Sequence, residues 1–493
     1  MVDRKLAHPQ GWPIKHLGRL GALLGALALL GWAAGSADAA ARPLQTGFVD
    51  PIAFAEKDAL VAFRRARSAG TTVIRLSLDW RSVAPATKPR RFDPTDPAEA
   101  AYTWEGIDRQ VRLATGQELE PILSITNAPH WARKPDPAAG GLRRADPVEY
   151  GRFTLAAARR YGGSFPPEPT ARDESPDRLP RIRIFQAWNE PNHAGQARLK
   201  AGAPDWYREL LNRFATSVHS VHASNIVVGG GSSPFTTQTS MAPLQFMRKL
   251  LCMQGGARPR PVCAKTASFD VWSHHPYTSG GPEHSANGGD DVSLGDLPQM
   301  KRLLDAAVRA GQVRSSQPVR FWVTEFAWDS APPDPQAVPM ALHRRWVAEA
   351  LYRMWRSGVS LVTWWRVRDD PLRTSFYQSG LFFRGSSIGR DRPKPSFYAF
   401  RFPFVAFAED EGVTVWGRTP FGAQGRVVVE QTFPGGWRTL GALQANANGI
   451  FSSAFPRAAE TGLLRARLDR PKAISVPFSL TRPPDRFYYP FGS

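Results

Sequence analysis

The chain is poor in cysteine. Its 493 residues include two, Cys252 and Cys263, which excludes a small disulfide-stapled scaffold and any zinc module built on paired cysteines. No other ligand-type residues stand near them at metal-binding spacing, so no metal and no cofactor is expected. The sequence also has no Ser-His-Asp order, no P-loop and no dinucleotide-type glycine pattern. Gly229-Gly230-Gly231 lacks the spacing of a phosphate cradle and reads as room for a tight turn. Acidic residues are scarce beside basic ones, 43 against 63, giving a formal net charge of +20. Such an excess raises nucleic acid as a partner. The arginines are scattered, however, with no basic helix, zinc-finger spacing or RNA-binding signature, so no nucleic-acid partner is expected. Genomic codon bias, an anionic cell envelope or an acidic polysaccharide accounts for the charge instead.

Long apolar runs are missing too, except at the N-terminus. Lys5, Lys15 and Arg19 precede an apolar run from Leu20 to about Ala34, and Ala37-Asp38-Ala39 fits a small-residue cleavage site. That is the layout of a secretory signal over residues 1–39. The run is short for a span of ~20 residues, and no second span follows. An uncleaved anchor is the alternative. Cleavage would leave a secreted or envelope-associated protein with no integral membrane segment, beginning near Ala40. In an oxidising compartment Cys252 and Cys263 are candidates for one local disulfide clamping a loop.

What the chain does have is a large apolar fraction, 42%, with 16 Trp and 28 Phe. Most of these rings belong to a core; a few suit a cleft for sugars, whose apolar faces pack on indoles. Strand-like runs fall at Gly47–Pro51, Val73–Trp80, Glu120–Asn127, Ile182–Glu190, Ile226–Gly231, Phe269–Tyr277, Val319–Phe326 and Val359–Arg366. Amphipathic stretches alternate with them, among them Asp58–Ala69, Pro147–Tyr161, Asp205–Ala223, Leu294–Ala310 and Leu342–Gly358. Eight strands alternating with helices predict an α/β fold, a (β/α)8 TIM barrel over residues 42–402. The pattern changes near Phe402. Short alternating runs at Val413–Gly417, Arg426–Gln431, Trp437–Leu443 and Leu463–Arg467, separated by Pro434-Gly435-Gly436 and Asn446-Ala447-Asn448-Gly449, predict a small all-β sandwich over 405–493. It shows no internal repeat and no low-complexity tract. It is expected to pack on the barrel and to carry no catalytic residue. Ser164–Arg181 joins a helix to the next strand and reads as decoration on the far face. Thr278–Asp291 follows the sixth strand and is expected to shape the cleft.

Barrel chemistry gathers at the C-terminal ends of strands. Strand four runs into Trp188-Asn189-Glu190-Pro191-Asn192, and strand seven into Trp322-Val323-Thr324-Glu325-Phe326. Each places a glutamate at the same mouth, on opposite sides. Two carboxyls ~5 Å apart are what glycosidic-bond cleavage with retention requires. A structural salt bridge is the alternative, though buried carboxyls at two strand ends are costly without a purpose.

On these residues the chain resembles clan A glycoside hydrolases, and is most similar to families 5 and 39, over about Thr46 to Phe402. Asn189-Glu190-Pro191 matches their acid/base signature, and Thr324-Glu325-Phe326 fits the nucleophile position. The resemblance implies a retaining hydrolase of oligo- or polysaccharides, with Glu325 as nucleophile and Glu190 as acid/base. It also implies supporting roles: Tyr277 of His275-Pro276-Tyr277 hydrogen-bonds Glu325, Arg75 contacts it, and Asn189 binds the sugar 2-hydroxyl. Trp364 or Trp365 would floor the sugar site, with Trp364 preferred, and Trp131 would be a nearby platform. His130 is either a substrate contact or loop packing. Because adjacent strand residues face opposite ways, one of His274 and His275 at most enters the pocket. Glu190 is expected to stay protonated through repulsion from Glu325. The alternative to an enzyme is an idle barrel that binds envelope polysaccharide.

Overall fold

The structure is a computed structural model that describes residues 42–137, 141–166, 178–195, 200–372, 375, 377–410, 412–456, 459, 461–484 and 486–491. The signal-like residues 1–39 and most of the Pro/Arg-rich stretch 164–181 lie outside the described residues.

Eight short runs rich in Val, Ile and Leu become parallel strands: β1 (Gln45–Val49), β2 (Val73–Asp79), β3 (Glu120–Thr126), β4 (Ile184–Ala187), β5 (Ile226–Ser232), β6 (Val271–His274), β7 (Arg320–Phe326) and β8 (Val359–Trp365). They close on themselves in the order β1-β8-β7-β6-β5-β4-β3-β2. Each strand is followed by a helix: α1 (Ala59–Ser68), α2 (Glu105–Gly116), α3 (Pro147–Arg160), α4 (Ala203–Val221), α5 (Pro243–Leu250), α6 (Leu297–Arg309), α7 (Met340–Arg356) and α8 (Pro395–Arg401). Their starts follow local chemistry. Asp146, for instance, caps α3 by accepting from the Val148 amide at 2.9 Å, with Pro147 in the first turn, where its missing N–H costs nothing.

The barrel interior is layered by strand parity. Val73, Ile122, Ile184, Val228, Val271, Trp322 and Leu361 form one buried apolar cluster, a residue from each strand but β1. Two residues further along the same faces come Arg75, Ser124, Gln186, Ser273, Thr324 and Thr363, all buried and all polar. One more step up brings Ser77, Thr126, Trp188 and Trp365 to the open mouth. Two irregularities adjust this parity. Between β5 and β6 the register slips at Ser273/His274, where Gly230 and Gly231 have φ of 83° and 63°. A Cβ on Gly230 would stand 2.4 Å from the Ser273 carbonyl oxygen, and one on Gly231 2.7 Å from the Gln186 amide nitrogen. The glycine run is therefore a bulge with close approach. A second slip lies between Val323 and Phe326 of β7. It turns Glu325, which parity alone would send outward, into the mouth.

Beyond α8 come β9 (Phe404–Ala408), β10 (Gly412–Arg418), β11 (Gly425–Phe433), β12 (Gly436–Ala445), β13 (Ile450–Pro456) and β14 (Leu463–Leu468). Strands β9-β10-β13 form one antiparallel sheet, and β12-β11-β14 the heart of another. Phe407 of β9 meets Phe478 at 6.1 Å, joining the two sheets. The sheets dock on α7: Tyr352 lies 5.2 Å from Phe407 and 5.4 Å from Trp416, and Trp355 is 5.4 Å from Trp416. Cys252 and Cys263 are bonded to each other, their Cα atoms 5.4 Å apart, just after α5. Among the described residues no helix is long and apolar enough to cross a membrane.

The apolar layer generates a stability prediction. Leu361 is fully buried within it, so Leu361→Ala should cost about 2–5 kcal/mol through lost contacts and a residual cavity. Urea unfolding followed by tryptophan fluorescence measures it. A cost below about 1 kcal/mol would mean that this layer is not a packed floor.

Candidate active site

The strand ends bring the two glutamates together by different means. After β4 the chain passes through Trp188 with φ of 66° and Glu190 with φ of 46°. Left-handed conformations at non-glycine residues are strained, and neighbouring strands hold them in place. The Trp188 amide donates to the Ile125 carbonyl of β3 at 3.0 Å, and the Glu190 amide to the Gly231 carbonyl of β5 at 2.9 Å. Across the mouth the β7 bulge presents Glu325. One carboxyl oxygen of Glu190, one of Glu325 and one ring nitrogen of His275 lie within 4.8 Å of one another.

Arg75 organises the layer beneath. Only 3% exposed, it donates through Nε to Gln186 Oε1 at 2.8 Å and through Nη1 to Glu325 Oε2 at 3.1 Å. Nη2 donates to Asn189 Oδ1 at 2.7 Å and to Ser124 Oγ at 3.3 Å. One side chain of β2 thus ties together β3, β4 and β7. The other oxygen of Glu325 accepts from the Tyr277 hydroxyl at 2.8 Å. Burial, and then the charge of Glu325, push the Tyr277 phenol well above its usual range, so it stays a donor. The carbonyl of Asn189 is committed to Arg75, and the residue borders the cleft.

The groups around Glu190 have a different character. Burial raises its pKa above the usual carboxylate range, with His193 and Arg75 opposing. Sequence reasoning had assigned that rise to repulsion from Glu325; the larger cause is loss of water, as in other acids set against apolar walls. The side chain keeps 26% of its surface, open towards the cleft. His275 Nδ1 stands 3.1 Å from Glu190 Oε1, and Nε2 stands 3.2 Å from Thr324 Oγ1. Burial lowers the pKa of His275 to about 4, so the ring is neutral at pH 7. His274 points the other way, to Ser232 Oγ at 2.8 Å and the Val292 carbonyl at 2.9 Å. Two carboxyls and an imidazole this close could be taken for a cation site. The Arg75 guanidinium already occupies the charge-compensating position beside Glu325, and a cation there would face its repulsion.

Two cavities share the glutamates. One of about 900 Å³ opens on the β2/β3 side and is lined by Arg75, Asp79, Asn127 and Asn189 among others. The other, about 630 Å³, opens on the β5/β6 side. Glu190, Glu325, Trp365 and Tyr377 border both, so the cleft runs past the carboxyl pair in two directions. A further cavity of about 870 Å³ lies between residues 281–285, α7 and the chain's end, and touches neither glutamate.

Of the residues singled out in the sequence, Glu190, Glu325, Arg75, Asn189, Tyr277 and His275 meet in one place. Three do not join them. Trp364 is 1% exposed, donates to the Ser379 carbonyl at 2.8 Å and packs on Phe326 and Phe400. It belongs to the outer core, and Trp365 takes the cleft position. The parity of Leu361, Thr363 and Trp365 carried that answer, since a buried threonine in an apolar strand marks the polar interior. Trp131 donates to the Pro85 carbonyl at 2.8 Å and meets Trp80 and Phe92 edge-on, as loop packing. His130 is exposed and borders neither half of the cleft. Tyr377 was not singled out. Its ring lies 5.6 Å from Trp365, and the Arg366 guanidinium sits over both rings. Gln186 and Thr324 were likewise missed, although a lone glutamine inside Ile-Phe-Gln-Ala is the same kind of parity signal.

The hub generates the second prediction. Arg75→Leu should destabilise the fold by roughly 3–5 kcal/mol, because it leaves Glu325, Gln186 and Asn189 without their shared donor. Equilibrium unfolding of the variant tests this; a loss under about 1 kcal/mol would show that the network is incidental.

No protein-family profile matches the chain, and no curated protein does. Solved structures do resemble it. A family 39 glycoside hydrolase from Bacteroides cellulosilyticus WH2 aligns over 85% of this chain and 82% of its own, at 16% identity and a TM-score of 0.50. A monomeric beta-xylosidase from Caulobacter crescentus CB15 aligns over 86% and 96%, at 14% identity and 0.46. A GH39 enzyme from Xanthomonas axonopodis pv. citri aligns over 84% and 91%, at 14% and 0.45. At these identities the likeness is one of fold, and it rests on the first. By fold, then, the chain is similar to that family 39 glycoside hydrolase, with a closed eight-stranded parallel barrel followed here by antiparallel sheets.

Proposed function

We propose that the protein is an exported retaining glycoside hydrolase, with Glu325 as nucleophile and Glu190 as acid/base. The observation that carries this reading is the carboxyl pair. One oxygen of each comes within 4.8 Å of the other, which suits the ~5–5.5 Å separation of a retaining pair better than the ~6.5–9.5 Å that an inverting pair leaves for water. The asymmetry of the pair supports the assignment of roles. Glu325 accepts from a guanidinium and a phenol, which fix both oxygens and leave a lone pair to attack. Glu190 is the acid whose proton burial favours. The sequence resemblance of Asn189-Glu190-Pro191 to the clan's acid/base signature points the same way.

The chemistry then runs in two displacements. Glu325 attacks the anomeric carbon while Glu190 delivers its proton to the departing glycosidic oxygen, so that the C–O bond breaks as the glycosyl ester forms. Glu190, now a carboxylate, takes a proton from water, whose oxygen attacks the same carbon and releases Glu325. The amide of Asn189 is available to a sugar hydroxyl, and Trp365 offers a face to the ring. Export draws support from the signal-like N-terminus and from the Cys252–Cys263 bond, which fits an oxidising compartment.

Three measurements test the assignment together. Because Glu190 must carry a proton for the first step, kcat/KM should fall as pH rises through its elevated pKa. In Glu190→Ala that alkaline limb should vanish on substrates with activated leaving groups, and azide should speed turnover and yield a glycosyl azide of retained configuration. Glu325→Ala should lose turnover by about 10⁴-fold or more, with azide giving the inverted product. Retention and inversion exchanged between the two variants would reverse the roles. Wild-type activity in both would remove the hydrolase assignment from this site.

A further inference from the structure

The cleft's second half is built partly by the end of the chain. After Phe478–Ser479, the last pairing segment of the β domain, the chain runs back to the barrel mouth. Two backbone bonds pin it there. The Gly280 amide, in the loop after β6, donates to the Tyr488 carbonyl at 2.8 Å, and the Asp329 amide, after β7, to the Pro490 carbonyl at 2.8 Å. Phe491 is wedged between two cleft tyrosines, 4.8 Å from Tyr277 and 4.9 Å from Tyr377. Tyr488 leans on Trp346 of α7 at 6.0 Å.

The chemistry of the two halves differs. Arg75 and Asn189 border the β2/β3 half and are absent from the other, so the sugar that Glu325 attacks is assigned to that side. Whatever departs must extend into the β5/β6 half. That half is walled by Pro234 and Phe235 together with Tyr489, Pro490 and Phe491. Tyr489 is 65% exposed although the backbone on both sides of it is pinned. A large ring carried on a pinned backbone and left uncovered at the rim of a cavity has part of its ordering cost already met, which favours a stacking platform.

We propose that Tyr489 and Phe491 form the leaving-group wall of the cleft and select substrates whose departing group presents a flat apolar face, an aryl ring or the C–H face of a pyranose. The inference rests on the hydrolase reading for its orientation, and its test does not require turnover. Isothermal titration of the full chain compares p-nitrophenyl glycosides with the methyl glycosides of the same sugars, across gluco, xylo, galacto, arabino and manno configurations. The wild type should bind the aryl member of at least one pair more tightly. In Tyr489→Ala and in Phe491→Leu that preference should fall about tenfold, and KM for cleaved aryl glycosides should rise more than kcat falls. Tyr489 is exposed, so its variant should unfold at the wild-type midpoint. An aryl preference retained within twofold in both variants overturns the proposal, as does a wild type with no aryl preference in any pair. Aryl preference without turnover, lost in the variants, would defeat the hydrolase reading and leave this wall standing.

Discussion

A full positive charge sits inside the barrel, and the upper half of the molecule is arranged around it. Removing a guanidinium from water costs several kcal/mol, recovered only where geometry is good and the remaining N–H groups are satisfied. Arg75 reaches Gln186, Glu325, Asn189 and Ser124, acceptors drawn from three strands and their ends. Each can meet the guanidinium only in one register. The apolar floor below fixes how deep Arg75 lies, and the slips in β5 and β7 fix which residues come round to face it. The two glutamates are in this sense hung on Arg75: one accepts from it directly, and the other follows the asparagine that does.

The eight-strand alternation was legible from period alone because every strand is a brief Val/Ile/Leu run and every helix an amphipathic one. Glu190 and Glu325 were legible because a charged residue at the end of such a run is conspicuous. What the period could not convey was facing. Choosing Trp364 over Trp365 failed for want of parity counted from Thr363, and Glu325 faces the mouth through a bulge that no periodicity announces. Trp131 illustrates another limit. An exposed-looking loop tryptophan next to His130 can satisfy its N–H on the Pro85 carbonyl and its ring on Trp80, and only the folded path of both loops reveals that.

The β domain was expected to be an accessory, and its sheets meet the barrel on α7 through Phe407 and Trp416. Its end is another matter. Chain segments far apart in sequence, Gly280, Asp329 and Tyr488–Phe491, become neighbours over the mouth, and nothing in the local composition around Tyr488 and Tyr489 signals it. Of residues 278–291, expected to shape the cleft, Ser279 lines its β5/β6 half, and the Gly280 amide holds the Tyr488 carbonyl.

The closed floor has a consequence for water. With Val73, Ile122, Ile184, Val228, Val271, Trp322 and Leu361 filling the barrel's lower section, the polar layer above is a blind chamber, reachable by solvent from the mouth alone. A ligand that covers the mouth therefore acts as a stopper. It cuts Arg75, Gln186 and Glu325 off from bulk dielectric in one step, and every charge interaction among them strengthens as it seats.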